Sequence, residues 1–151
     1  MTDISGSGIS IRFIFDKTFP NGFTVTQFAD DADPFDVPEV VIAEAAMNLN
    51  GVLVTWSSPK PLLPKMALIP GSEDDRNMNI ALDANRPANG KKSVGDEVTA
   101  VVSYPDGSTA TFDTGKLLAG MPVRSPSSAG RFKSSTYSFA FSNLSYTRAN
   151  V

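Results

Sequence analysis

The chain contains neither cysteine nor histidine. Without cysteine there is no disulfide, no thiolate chemistry and no thiolate-bound metal, a composition that suits a reducing cytoplasm. Without histidine there is no Ser-His-Asp triad, no imidazole acid–base catalysis and no usual zinc or iron site. Carboxylates, lysine and tyrosine are the only groups left for catalysis. Long apolar runs are missing as well: nothing approaches the ~20 residues of a membrane span. The opening Met1-Thr2-Asp3-Ile4-Ser5-Gly6 lacks the basic start and apolar stretch of a signal peptide. The expectation is a protein that is not an enzyme, enters no membrane and uses no cofactor.

What is present suffices for one core. Of 151 residues, 41% are apolar and 19% charged, which fits one folded domain over 1–151 and argues against disorder. The net charge of −3 hides an asymmetry. Residues 1–50 carry eight acids against Arg12 and Lys17, whereas 117–151 carry Arg124, Arg131, Lys133 and Arg148 and no acid. Four bases among serines are too few for nucleic-acid readout, so the asymmetry points to surfaces that meet when copies assemble.

Ile9, Ile11, Phe13 and Phe15 recur at period two, a strand with one buried face. Phe19-Pro20-Asn21-Gly22 reads as the turn of a hairpin whose second arm is 23–28. Residues 29–38 form an acidic loop punctuated by Pro34 and Pro38, so 1–37 reads as an N-terminal hairpin and acidic loop. Asn50-Gly51 predicts a type I′ turn between arms at 39–49 and 52–57. Ser72 as N-cap, Asp74 and Asp75 in the first turn, and Met78, Ala81, Leu82 and Asn85 on one side predict a helix over 72–86, stopped by Pro87. Pro105-Asp106-Gly107 joins strands at 97–104 and 108–113, and a short strand is expected near 116–124. Tyr137, Phe139 and Phe141 mark the last core strand. The core then spans 38–143, and 144–151 reads as a flexible or partner-bound tail. The fold class is mostly β: a β-sandwich or barrel of hairpin-connected strands with one α-helix packed on it.

Candidate sites are few. Asp30, Asp31, Asp33 and Asp36 crowd oxygen ligands together, but no glycine or glutamate falls where a calcium loop needs one; a solvated acidic loop or an acidic interface patch is the better reading. Glu73, Asp74 and Asp75 open a helix, where capping explains them better than paired-carboxylate hydrolysis. Lys91-Lys92 and Ser7 match no phosphate or dinucleotide loop. Trp56 stacks on a sugar in one reading, and serves a core or subunit interface in another.

Four stretches, 38–56 (PEVVIAEAAMNLNGVLVTW), 67–86 (ALIPGSEDDRNMNIALDANR), 103–112 (SYPDGSTATF) and 128–143 (SAGRFKSSTYSFAFSN), together resemble the tail structural proteins of contractile-tailed bacteriophages, the tail-tube and baseplate family. That resemblance implies a β-sandwich or barrel with one helix and no catalytic residues. It implies a six-fold homo-oligomeric ring in the virion that stacks on neighbouring tube, baseplate or sheath proteins, made in the host bacterial cytoplasm. Residues 1–37 lie outside the resemblance, which favours a baseplate component over the repeated tube subunit. The charge map sets Asp30, Asp31, Asp33 and Asp36 of one copy against Arg124, Arg131 and Lys133 of the next, or else leaves both patches solvated; catalytic, cofactor and metal sites are none. The competing class is a monomeric carbohydrate- or peptide-binding β-sandwich module with Trp56 or the Asp30–Asp36 loop at its site. The two separate by a melt: chelator should leave the melting temperature unchanged, and a rise of several degrees in millimolar calcium would favour the binding module.

Overall fold

Alternation governs the first strand. Ile11, Phe13 and Phe15 are buried on β1 (Ser10–Phe15) while Arg12 is exposed. The structure is a computed structural model that describes residues 8–29, 33–128 and 130–148. β1 pairs antiparallel with β2 (Phe19–Val25) as expected, but the turn lies earlier, at Asp16–Thr18. There the carboxylate of Asp96 accepts the backbone N–H groups of Lys17 (2.9 Å) and Thr18 (3.1 Å) and fixes the chain reversal. Pro20–Gly22 falls inside β2 as a bulge. Gly22 has φ 74°, and a Cβ on it would stand 2.8 Å from the Phe13 carbonyl oxygen.

β7 (Val98–Ser103) and β8 (Thr109–Gly120) form the hairpin expected across Pro105–Gly107. In place of two short strands, β8 is one strand of 12 residues. It passes through a bulge at Thr114, whose φ of 54° is unusual for a β-branched residue. Gly115 then lies against the Phe141 ring, where a Cβ would be 2.2 Å from a ring carbon. β9 (Ser135–Thr147) runs past Asn143, its last residues paired with Thr109–Asp113 of β8.

The remaining strands are β3 (Phe35–Asp36), β4 (Glu44–Met47), β5 (Leu53–Trp56) and β6 (Lys65–Leu68). Among the described residues seven strands form one antiparallel sheet in the order β2-β1-β7-β8-β9-β6-β3; β4 and β5 form a separate hairpin. The sheet curls until its ends meet. Directly beyond β2, Ala29 N–H donates to Ala67 O (3.0 Å), and Ile69 N–H donates to Gln27 O (3.0 Å), joining the chain after β2 to the same edge of β6 that β3 pairs with. Rings meet across the resulting barrel. Phe13 of β1 stacks on Phe139 of β9 at 5.1 Å although β7 and β8 lie between those strands in the sheet.

One helix, α1 (Glu73–Asn85), is N-capped by Ser72, whose hydroxyl accepts from Asp75 N–H at 3.2 Å. Met78 and Ala81 are fully buried against the barrel core. The helix does not lie flat on one sheet face. Hydrogen bonds tie it to several strand ends: Asp74 accepts from Thr26 and Gln27 beyond β2, Tyr137 of β9 donates to Asp75, and Asn79 donates to Met121 O beyond β8. It closes an end of the barrel.

The contact at Gly115 makes a sharp test. Gly115→Ala forces a methyl into the Phe141 ring, and overpacking of this kind costs about 1–3 kcal/mol. At ~2–4 °C per kcal/mol for a chain of this size, the melting temperature should fall by several degrees. An unchanged melt would show that β8 and β9 do not pack as described.

Candidate assembly interface

Between β3 and β6 the chain leaves the barrel. Every residue from 36 to 61 is exposed, and within this stretch β4 and β5 pair as an arm in the register Glu44↔Trp56, Ala45↔Thr55, Ala46↔Val54 and Met47↔Leu53. Directly opposed residues share a face, so Val54 and Trp56 lie on one side and Met47 and Leu53 on the other. Both sides are apolar, and neither is covered: Ile42 is 80% exposed, Met47 64% and Leu53 61%. The indole N–H of Trp56 donates to the Glu44 carboxylate at 2.7 Å, which orients the ring outside the barrel.

The arm turns over Leu49–Asn50–Gly51, with Gly51 N–H donating to Asn48 O and Asn48 N–H to Val52 O, both at 3.0 Å. A type I′ turn would need positive φ at both Asn50 and Gly51; only Gly51 has it, at 78°. The loop is therefore three residues ending in a left-handed glycine. The Asn48 carboxamide oxygen selects it by accepting the N–H groups of Asn50 (3.0 Å) and Val52 (2.9 Å). A free two-stranded hairpin is marginal in water, and exposed apolar patches of this kind mark interaction sites.

A second feature lies where α1 meets the loop that follows β8. Asn79 Nδ2 donates to the carbonyls of Met121 and Pro122 (3.1 Å each) and fastens that loop to the helix. Between them opens a cleft of about 530 Å³ with Arg76 and Arg124 at its edge and Ile80, Val123 and Phe132 on its walls. The Arg124 guanidinium lies 5.1 Å from the Phe132 ring centre, a cation–π contact. Beneath, the buried Asp75 carboxylate accepts from Tyr137 OH (2.8 Å) and Gly71 N–H (3.0 Å). Burial and the bond to Asp75 raise the Tyr137 pKa, so the phenol stays protonated and keeps donating.

At the other end of α1, burial pushes Asp96 upward. Its bonds from Thr18, Asn85, Lys17 and the Thr18 backbone outweigh that and hold it below the ordinary 3.8. The charged form is thus favoured in the folded state. Its stabilising contribution is present above the ordinary aspartate range and is lost as pH falls through the lowered value.

Of the acidic residues singled out in the sequence, Asp30 and Asp31 lie outside the described residues. Asp33 and Asp36 are exposed, and Asp36 is paired with Lys65 across β3 and β6. The basic residues are gathered by one loop: Arg131 O accepts from Ser127 N–H, Lys133 N–H donates to Ser125 O, and Pro126 bridges Phe132. Among the described residues no ion pair joins Asp33 or Asp36 to Arg124 or Lys133. Sequence reasoning missed Arg76 as a companion of Arg124. It also read Asp74 and Asp75 as dipole partners alone, although both are buried hydrogen-bond acceptors. No helix among the described residues is long and apolar enough to cross a membrane. Among the described residues no three Asp or Glu side chains are grouped so as to hold a metal.

Comparison with known proteins follows the fold. A family model described as "Tail fiber protein gp32" matches residues 2–145. A chain of the anti-feeding prophage baseplate, solved by cryo-electron microscopy, superposes with a TM-score of 0.50 at 11% identity, covering 98% of this chain and 94% of its own. A chain of the cap that terminates the anti-feeding prophage tube superposes with a TM-score of 0.57 at 8% identity, covering 99% and 93%. No curated protein matches.

The separation of arm from barrel is testable. At Gly51 an added Cβ would have open space around it, but Gly51→Val places a β-branched residue at positive φ, a penalty of about 1–2 kcal/mol. Because the arm adds nothing to the core, the barrel should melt unchanged while chymotrypsin cuts more readily near Leu49 and Trp56. A lowered barrel melt would show that the arm packs on the core.

Proposed function

We propose that this chain, which belongs to the family described as Tail fiber protein gp32, works by self-association in a contractile tail, as a tail-tube or tube-proximal baseplate subunit. Membership of that family makes it a phage tail structural protein and not an enzyme. Copies join into a ring, six-fold by the resemblance noted above, which stacks on neighbouring tube, baseplate or sheath proteins of the virion. The protein is made in the host cytoplasm. The similarity in fold to chains from a baseplate and a tube-terminating cap favours a place near an end of the tube.

The observation that carries this reading is the arm. Fully burying one Val, Leu or Ile side chain is worth about 1.5–3 kcal/mol, and the arm exposes several of them on both faces. Such a structure gains stability only when another surface covers it, and a soluble monomer has no use for it. Its two faces further imply that it inserts between surfaces, where a strand pair lying on one surface would leave half its apolar side chains wet.

The test uses the full chain. Sedimentation velocity and negative-stain electron microscopy at tens of micromolar protein should show rings or larger oligomers for the wild type. Ile42→Asp with Leu53→Asp should give a monomer with an unchanged melting temperature. A wild type that stays monomeric at every concentration would overturn the self-assembly reading.

A further inference from the structure

We infer that the cleft between α1 and the loop after β8 receives the arm of a second copy of this chain. The inference rests on the self-association reading above and adds where the arm goes.

Charge is the first argument. The hairpin from Glu44 to Trp56 carries Glu44 and no base, and the segment leading into it adds Asp30, Asp31, Asp33, Asp36 and Glu39. The cleft presents the opposite sign through Arg76 and Arg124, with Lys133 on the same loop. Neither Arg76 nor Arg124 is ion-paired among the described residues. An acidic segment approaching this rim gains encounter rate and register, and two arms approaching each other are repelled.

Chemistry and size agree. Ile80, Val123 and Phe132 form the walls and remain 49%, 69% and 43% exposed, so the cleft is an apolar surface awaiting apolar side chains. At about 530 Å³ it is of the size that buries a small ligand, which suits the side chains of a hairpin tip and not a flat protein face. Its polar floor is already satisfied. Asp75 is held by Tyr137 and Gly71, and Asn79 by two carbonyls, so an apolar guest strands no buried polar group.

The occupant comes from another copy because in one chain the arm is exposed throughout while the cleft stands open. Arm and cleft are unlike surfaces on one subunit, so their union is heterologous and propagates from copy to copy until a ring closes.

The absence of cysteine supplies the experiment, because any introduced thiol is unique. One protein carries Leu49→Cys at the arm tip and another carries Val123→Cys at the cleft. Mixed and mildly oxidised, they should give a disulfide-linked heterodimer several-fold in excess of either homodimer on a non-reducing gel. Independently, Arg76→Glu with Arg124→Glu should weaken self-association at least tenfold at low salt and leave the circular dichroism melt unchanged. If the wild type assembles, Ile42→Asp with Leu53→Asp blocks assembly, yet no heterodimer forms and the arginine reversals have no effect, the arm docks elsewhere and this inference falls while the self-association reading stands. If a chain carrying both cysteines links only within itself, the arm folds back on its own cleft and the inference falls. A wild type that is monomeric overturns both.

Discussion

The short segment Thr26–Ala29 holds the barrel shut. Its backbone N–H groups have two destinations: Thr26 and Gln27 donate to the buried Asp74 carboxylate at 2.9 and 3.0 Å, and Ala29 donates to β6. Hydrogen bonds to a charged acceptor are worth about 1.5–3 kcal/mol each, and donors left unpaired in a buried place cost a similar amount. Asp74 also sits in the first turn of α1, where the helix N-terminus favours negative charge. One carboxylate therefore couples three things: the break at the end of β2, the closure onto β6, and the seating of the helix. Remove it and the sheet loses the joint that lets its first edge meet its last.

A barrel closed in this way is self-sufficient, and that frees the arm. Phe13, Phe15, Phe112, Tyr137, Phe139 and Phe141 fill the interior, and Met78 seals it from the helix side. Nothing from residues 36–61 enters that buried core; the partly buried Phe35 and Leu62 stand on either side of the segment. The stability of the core thus resides in residues other than the exposed apolar ones of the arm. A substitution in the arm leaves the core packing untouched, and one in the barrel interior changes it.

Sequence and structure agree where local chemistry decides. Period-two aromatics gave β1 and β9, Ser72 with its following acids gave α1, and Pro105–Gly107 gave a hairpin turn. Disagreements arise where a distant residue decides. Pro20–Gly22 has the composition of a turn, but Asp96, far along the chain, fixes the reversal earlier. Gly115 looks like a strand end, yet its missing Cβ is what lets β8 pass the Phe141 ring. The arm was legible as a hairpin but not as an exposed one. Alternating apolar residues announce a face to be covered and say nothing about whether the cover belongs to the same molecule. Arg76 escaped notice for a similar reason, since its nearness to Arg124 depends on how Asn79 anchors a loop some forty residues away.

The filled interior has a further consequence for transport. Rings of phenylalanine and tyrosine occupy the space that a wider barrel would leave for water, and the helix lies over the exit. Nothing can be threaded through such a subunit. Any path past the subunit runs along its outer surface, where the strands present Thr99, Val101, Thr111, Ser138 and Ala140 together with the charged Arg12, Lys65 and Lys116.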